Sequence, residues 1–291
     1  MSGGPDSLAL LLLAAEVLPG EVEAATVDHG LRPESADEAA EVARICAALG
    51  VPHETLTVQV PQEGNLQAQA REARYAALSA WVAARDLAAL VTAHHADDQA
   101  ETLLLRLNRA SGVAGLAGTR ARGTVPGTGM ALLRPLLGWR REELAGIVTV
   151  AGIVAAQDPS NTDDRFDRAR LRKALERVDW LDIGAVAESA SHLAQADAAL
   201  DWAARREWVE QVRAEGLGLT YRPQAPRAIA LRVLARIVRQ LDGEEPRGGA
   251  LARLFDALVA GKPASIGNLV ARPTLEGWSF TPAPKRRGKA S

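Results

Sequence analysis

The sequence predicts a parallel, doubly wound α/β sheet followed by a helical C-terminal region. Strands and helices alternate at short spacing over roughly the first 150 residues, the pattern of βαβ units. The strand candidates are short apolar or branched runs such as Val22 to Val27, suited to burial on both faces. Polar residues gather where these strands end, in Asp28-His29-Gly30 and in His94-His95. Carboxyl ends of strands are where open parallel sheets bind ligands.

Element by element, Met1-Ser2-Gly3-Gly4-Pro5-Asp6-Ser7 is a glycine loop that runs into a helix over Asp6 to Glu16. After Gly20 come the strand Val22 to Val27 and a loop through Leu31-Arg32-Pro33. Ser35, with Glu38 three residues on, reads as a capping box for a helix to Leu49. His53 to Val60 is the next strand, and Asn65 caps a helix to about Arg85. Leu87 to Ala93 is a third strand. Ala96-Asp97-Asp98 opens a helix to about Arg109. A loop from Ala110 to Gly129, long enough to be functional, precedes a strand over Ala131 to Leu137. Helix follows over Trp139 to Ala151, then a turn at Gln157-Asp158-Pro159-Ser160-Asn161. Leu171, Leu175 and Val178 give an amphipathic helix rich in arginine. Asp182 to Glu215 reads as one long helix, with further helices over Arg227 to Leu241 and Arg247 to Val259. Short strands are expected between Ile266 and Phe280, and the basic tail from Pro282 reads as disordered. The expected domains are 1–180, 181–262 and 263–291.

The 291 residues are 47% hydrophobic and 24% charged, ordinary for a globular chain. A single cysteine, Cys46, excludes a disulfide framework and paired-cysteine metal or redox sites, and reads as a buried thiol. Neither a signal peptide nor a membrane-length apolar run is visible, so the expected location is the cytoplasm, with no membrane partner. The net charge of −2 gives no global attraction to nucleic acid. All but four of the 34 basic residues are arginine, a bias that does not itself signify RNA binding.

Gly3 and Gly4 let bare backbone approach a ligand, and the first helical turn offers unpartnered N–H groups and a dipole for an anion. An ordinary capped helix start would look much the same. No lysine is present, so this is not a Walker loop. The second informative stretch is His94-His95-Ala96-Asp97-Asp98-Gln99-Ala100-Glu101-Thr102. Asp98 and Glu101 are i, i+3 on one helical face and can aim at one cation or amine. Acidic residues also suit a first helical turn electrostatically, but two histidines and three acids at a strand end point towards function.

Ser2-Gly3-Gly4-Pro5-Asp6-Ser7 resembles the PP-loop of the ATP pyrophosphatase superfamily. That resemblance implies an adenine-nucleotide α-hydrolase-like sheet and cleavage of ATP between the α and β phosphates. Together with Asp28 to Ser35, His94 to Thr102, Arg134-Pro135-Leu136-Leu137 and Asp158-Pro159-Ser160-Asn161, the chain resembles the tRNA(Ile)-lysidine synthetase family over residues 2–177. The family pattern has an apolar central strand before the loop, where this sequence has only Met1. We therefore expect that strand to be missing, through a misassigned start or a truncation, and activity of so short a chain to be in question. Ala110 also stands where the family has the first glycine of Arg-Gly-Ser-Gly.

The resemblance implies an ATP-dependent ligase that adenylates the wobble cytidine of a CAU-anticodon tRNA(Ile) and joins L-lysine to its C2. It assigns ATP binding to Ser2, Gly3, Gly4, Pro5, Asp6, Ser7, Asp28 and His29, and Mg²⁺ to Asp6 and Asp98. Catalysis falls to Asp6, Asp98 and Arg168, and lysine binding to Asp98, Glu101 and His95. Arg109, Arg134, Arg170 and Arg172 are assigned to tRNA, although a solvated helix face would also explain the last two. Another PP-loop adenylating enzyme is the nearest alternative. A metal phosphoesterase built on the same histidines and acids would leave the glycine loop unexplained, and a non-catalytic RNA-binding protein would fit the missing strand. Trp202 and Trp208 could stack on bases, though core positions on an amphipathic helix explain them as well. A homodimer is possible.

Overall fold

The computed structural model describes residues 1–30, 34–59, 66–156, 167–244, 246 and 248–283. The expected turn at 157–161, the Leu31-Arg32-Pro33 loop, the Asn65 cap and the tail beyond residue 283 lie outside these. The described residues fall into two compact units that divide between Ala194 and Gln195.

In the first unit the elements run α1 (Pro5–Val17), β1 (Ala24–Asp28), α2 (Glu34–Ala48), β2 (His53–Thr57), α3 (Leu66–Ala84) and β3 (Leu90–Val91). They continue with α4 (Ala96–Leu107), α5 (Val113–Leu116), β4 (Arg122–Thr124), β5 (Ala131–Leu133), α6 (Arg141–Val150) and α7 (Asp167–Leu175). β1 pairs in parallel with β2, and β3 in parallel with β5, whose other edge carries β4 antiparallel. The strands thus form a two-stranded and a three-stranded sheet. The Met1 ammonium donates to the Ala25 carbonyl of β1.

Successive strand residues point to opposite faces, and β1 shows both faces filled. Ala24 packs with Leu11, Val42, Cys46 and Val51 beneath α1 and α2. Ala25 packs with Tyr75, Trp81, Val82, Leu90 and Leu132 beneath α3. Helices on both faces are the doubly wound arrangement the sequence predicts. Cys46 is fully buried, as expected, and burial pushes its thiol up. Leu8 and Ala9 of α1 pack against Leu144 and Val148 of α6, which ties the glycine loop to the rest of the unit.

Helix α8 (Ile183–Gln211) spans the boundary between the units. The second unit contains β6 (Val212–Glu215), β7 (Gly218–Tyr221), α9 (Arg227–Asp242), α10 (Gly248–Val259), β8 (Ala264–Ile266), β9 (Leu269–Thr274) and β10 (Gly277–Pro282). Its strands make one antiparallel sheet in the order β6-β7-β10-β9-β8. The apolar stripe Ala230, Val233, Leu234, Ile237 and Val238 of α9 packs with Leu251, Leu254 and Leu258 of α10, and with Tyr221, Trp278 and Phe280 of the sheet. Trp278 meets Tyr221 and Phe255 edge to face at centroid distances of 5.8 and 5.5 Å.

Two expectations need correction. The long helix does not continue to Glu215, because Val212–Glu215 leaves it to pair with β7. Arg213, Ala214 and Glu215 favour helix locally, but the sheet overrides that preference. Nor is 110–129 a plain loop, since it contains α5 and β4. No helix among the described residues is long and apolar enough to cross a membrane.

Candidate active site

The glycine loop opens α1 with Pro5 at its first turn and Gly4 as N-cap. Gly3 holds φ +71°, a conformation that disfavours any side chain, and its carbonyl accepts from Ala156 N–H at 2.9 Å. The loop is closed by its own serines. Ser2 Oγ donates to Ser7 Oγ at 3.1 Å, and Ser7 Oγ donates to the Gly4 carbonyl at 3.0 Å. Asp6 lies in the first turn, and its Oδ1 is buried with no protein partner.

At the end of β1, Asp28 Oδ1 accepts from Gly30 N–H at 2.8 Å and from the Ser35 hydroxyl at 2.7 Å, which together hold its carboxyl below the ordinary value. Helix α2 starts at Glu34, so Ser35, expected as its cap, lies in the first turn and is spent on Asp28. Burial and the nearby Arg74 guanidinium lower His29.

At the end of β3, two adjacent histidines are driven apart in protonation. Burial pulls His94 down to about 4; Arg134, Arg71 and Arg168 reinforce it, against Asp98. Its Nδ1 is 3.0 Å from Thr92 Oγ1. His95 is 1% exposed. Burial alone would lower it, but Asp6, Asp97 and Asp98 outweigh that and raise it to about 9. Its Nε2 lies 3.4 Å from Asp6 Oδ2 and 3.5 Å from Asp98 Oδ2, while Nδ1 lies 3.6 Å from Asp97 Oδ2. The buried His95 ring thus brings Asp6 of the glycine loop and Asp98 of α4 to one atom. Among the described residues no three His, Cys, Asp or Glu side chains form a preformed metal cage.

Asp97 has a different use. It accepts from Arg140 Nε at 3.2 Å, Arg140 Nη2 at 3.3 Å and Arg141 N–H at 2.9 Å, joining the starts of α4 and α6. Burial opposes its ionisation, but His95, Arg140 and the Arg141 amide hold it well below the ordinary value. Glu101 is 3% exposed and held on both oxygens by Arg172 of α7, whose Nη2 lies 3.2 Å from Oε2 and 3.8 Å from Asp98 Oδ1. The expected partners Asp98 and Glu101 therefore do meet one cation, and it belongs to the protein. Arg109 and Arg170 lie on the surface, both paired with Asp167. Arg134 Nη1 donates to the Arg120 carbonyl at 2.8 Å. Arg168 is exposed on α7.

The PP-loop domain model matches residues 1–178. The tRNA(Ile)-lysidine synthase of Novosphingobium aromaticivorans is 49% identical over 99% of this chain and 89% of its own length. That of Zymomonas mobilis is 42% identical over 99% and 88%. The chain belongs to the tRNA(Ile)-lysidine synthase family. That of Ruegeria pomeroyi is 44% identical over 92% of this chain and 66% of its own length. Among solved structures, the U34-tRNA thiolase NcsA of Methanococcus maripaludis has the same fold (TM-score 0.54, 15% identity, 67% of this chain and 70% of that one).

Two features of this family member explain how α4 is held. Its C-terminus closes as a Schellman turn, with Ser111 N–H donating to the Arg106 carbonyl and Ala110 N–H to that of Leu107, both at 3.0 Å. Ala110 occupies the left-handed position at φ +52°, where glycine carries no Cβ penalty. Ala110→Gly is therefore expected to raise stability by about 1 kcal/mol, read from urea unfolding midpoints. Near the N-terminus of the helix, buried Gln99 clamps Thr119 at both ends: its Nε2 donates to the Thr119 carbonyl and its Oε1 accepts from Thr119 N–H, each at 2.7 Å. Gly118, at φ +63°, would put a Cβ 2.6 Å from Gln99 Oε1. Gly118→Ala should destabilise by about 2–4 kcal/mol in the same assay, through backbone strain and loss of the clamp. Sequence reading missed the Gln99 clamp and the Arg140 and Arg172 pairings because their partners lie far away along the chain.

Proposed function

We propose that this chain joins L-lysine to C2 of the wobble cytidine of CAU-anticodon tRNA(Ile), consuming ATP and releasing AMP and pyrophosphate. Family membership supports the reaction. The observation that supports the site is the convergence of Asp6 and Asp98 on His95 Nε2 beside the glycine loop.

The loop amides at Gly3 and Gly4, the α1 dipole and the hydroxyls of Ser2 and Ser7 would bind the pyrophosphate moiety of ATP. The amides and the dipole are fixed before the reaction, so they would stabilise the charge that develops as the cytidine O2 attacks the α-phosphorus and pyrophosphate departs, whereas the Ser2 and Ser7 hydroxyls would turn from their bonds within the loop to reach phosphate. Asp28 and His29 would line the adenosine end. Lysine's reacting ammonium would first lose a proton to solvent, and the neutral amine then bonds to C2 as the C2–O bond to AMP breaks. Asp98 would orient the lysine ammonium, and Arg168 would face phosphate.

The residues fit Mg²⁺. A hard divalent cation takes oxygen donors, commonly one or two carboxylates with phosphates and water. Asp6 offers a buried oxygen with no protein partner, and Asp98 offers a second carboxylate at the same histidine. When bound there, the ion would neutralise phosphate charge. His95 would keep the two carboxylates together in its absence. Arg109, Arg134 and Arg170, with residues 181–262, are assigned to tRNA; Trp202 is 57% exposed with the Arg206 guanidinium 5.3 Å from its ring centroid, whereas Trp208 packs against the second unit's core.

The test is incorporation of labelled L-lysine into a CAU-anticodon tRNA(Ile) transcript. ATP-dependent incorporation is expected. A folded protein that gives none, with or without ATP, would overturn the assignment.

A further inference from the structure

The Arg172 guanidinium lies against the same two carboxylates assigned to the lysine substrate. It covers both oxygens of Glu101 and sits 3.8 Å from Asp98 Oδ1. Glu101 is 3% exposed, and a buried carboxylate left without a cation costs several kcal/mol. A cation facing Glu101 therefore stabilises its ionised form throughout turnover. Arg172 is more accessible than its partner, at 21% against 4% of the side chain. It belongs to α7, one helical turn beyond Arg168 and on the same face.

We propose that Arg172 sets the affinity for L-lysine by occupying the ammonium subsite as a resident cation that the substrate displaces. This rests on the assignment of Asp98 and Glu101 to lysine. An internal competitor weakens apparent affinity by the fraction of molecules in which the subsite is open. Displacement also frees α7 from α4 by one contact. The exchange keeps one positive charge at Glu101 throughout, so no buried carboxylate is left bare.

The experiment is lysine transfer by full-length Arg172→Ala, with KM for L-lysine and for ATP measured separately. The KM for L-lysine should fall about tenfold, as expected when a subsite open in roughly a tenth of molecules becomes fully open, a larger change than that in the KM for ATP. Damage to packing would not tighten lysine binding. Arg172→Ala leaves Glu101 without this partner until lysine arrives, so L-lysine should raise its unfolding midpoint by more than that of the parent protein. If the alanine variant does not fold, Arg172→Lys carries the test, because an ammonium loses the bidentate hold and should lower the lysine KM by a smaller factor. An unchanged or raised lysine KM in the folded variant overturns the proposal. Asp98→Asn, run in parallel, separates this from failure of the subsite assignment: an unchanged lysine KM there would mean that lysine binds elsewhere.

Discussion

Asp98→Asn is expected to lower lysine transfer by about 10²- to 10³-fold, the scale of losing one preorganised electrostatic contact at a reacting centre, and to leave the fold intact. Asp98 has a structural task and an electrostatic one. Its Oδ2 accepts from His95 N–H at 3.1 Å at the start of α4, a bond that the asparagine oxygen can still accept. Its negative charge, close to the His95 ring and to Arg172, is lost in the amide. Activity should fall while the unfolding midpoint stays near that of the parent. Asp6→Ala should have an effect of the same order, since it removes the buried Oδ1 beside the loop. Undiminished transfer in either variant would remove that residue from the mechanism.

His95→Gln should be the most destabilising change in the site, by about 3–5 kcal/mol, the range for removing one partner of a buried charge cluster. Three carboxylates face a ring that is 1% exposed, and glutamine supplies no charge to balance them. The pH dependence identifies the cause. His95 is raised from 6.5 to about 9 in the folded protein, so its contribution is full below about pH 6.5 and is lost as pH rises through 9. His94 acts in the opposite sense. Burial lowers it to about 4, so folding gains stability as pH rises from there towards 6.5. The informative quantity is therefore the difference between the parent and His95→Gln, measured by urea unfolding of the metal-free proteins. It should be largest near pH 6 and shrink towards pH 9. A difference independent of pH would show that His95 acts by packing alone.

Much of the site could be read from the sequence because its parts are local. The glycine loop, the Asp28 turn and the histidine-acid stretch are contiguous, and their positions at helix starts and strand ends follow from short-range periodicity. The family resemblance rested on the order and spacing of the same segments. The departure at Ala110 was visible too, although only the backbone shows its cost, a left-handed turn bearing a Cβ.

What the sequence by itself determined was the alternation of strands and helices, the loop and the list of polar residues available to the site. Backbone propensity and side-chain period act over a few residues, and a sequence displays them directly. The tertiary structure decided which of those polar groups share a partner. His95 and Asp97 lie two residues apart, yet His95 Nε2 gathers Asp6 and Asp98 while Asp97, at the other side of the ring, is bound by Arg140. Glu101 meets Arg172 only because α7 packs on α4, and Val212–Glu215 becomes a strand only because β7 lies beside it. Such pairings depend on which faces pack together, and burial then fixes protonation by making any uncompensated charge costly.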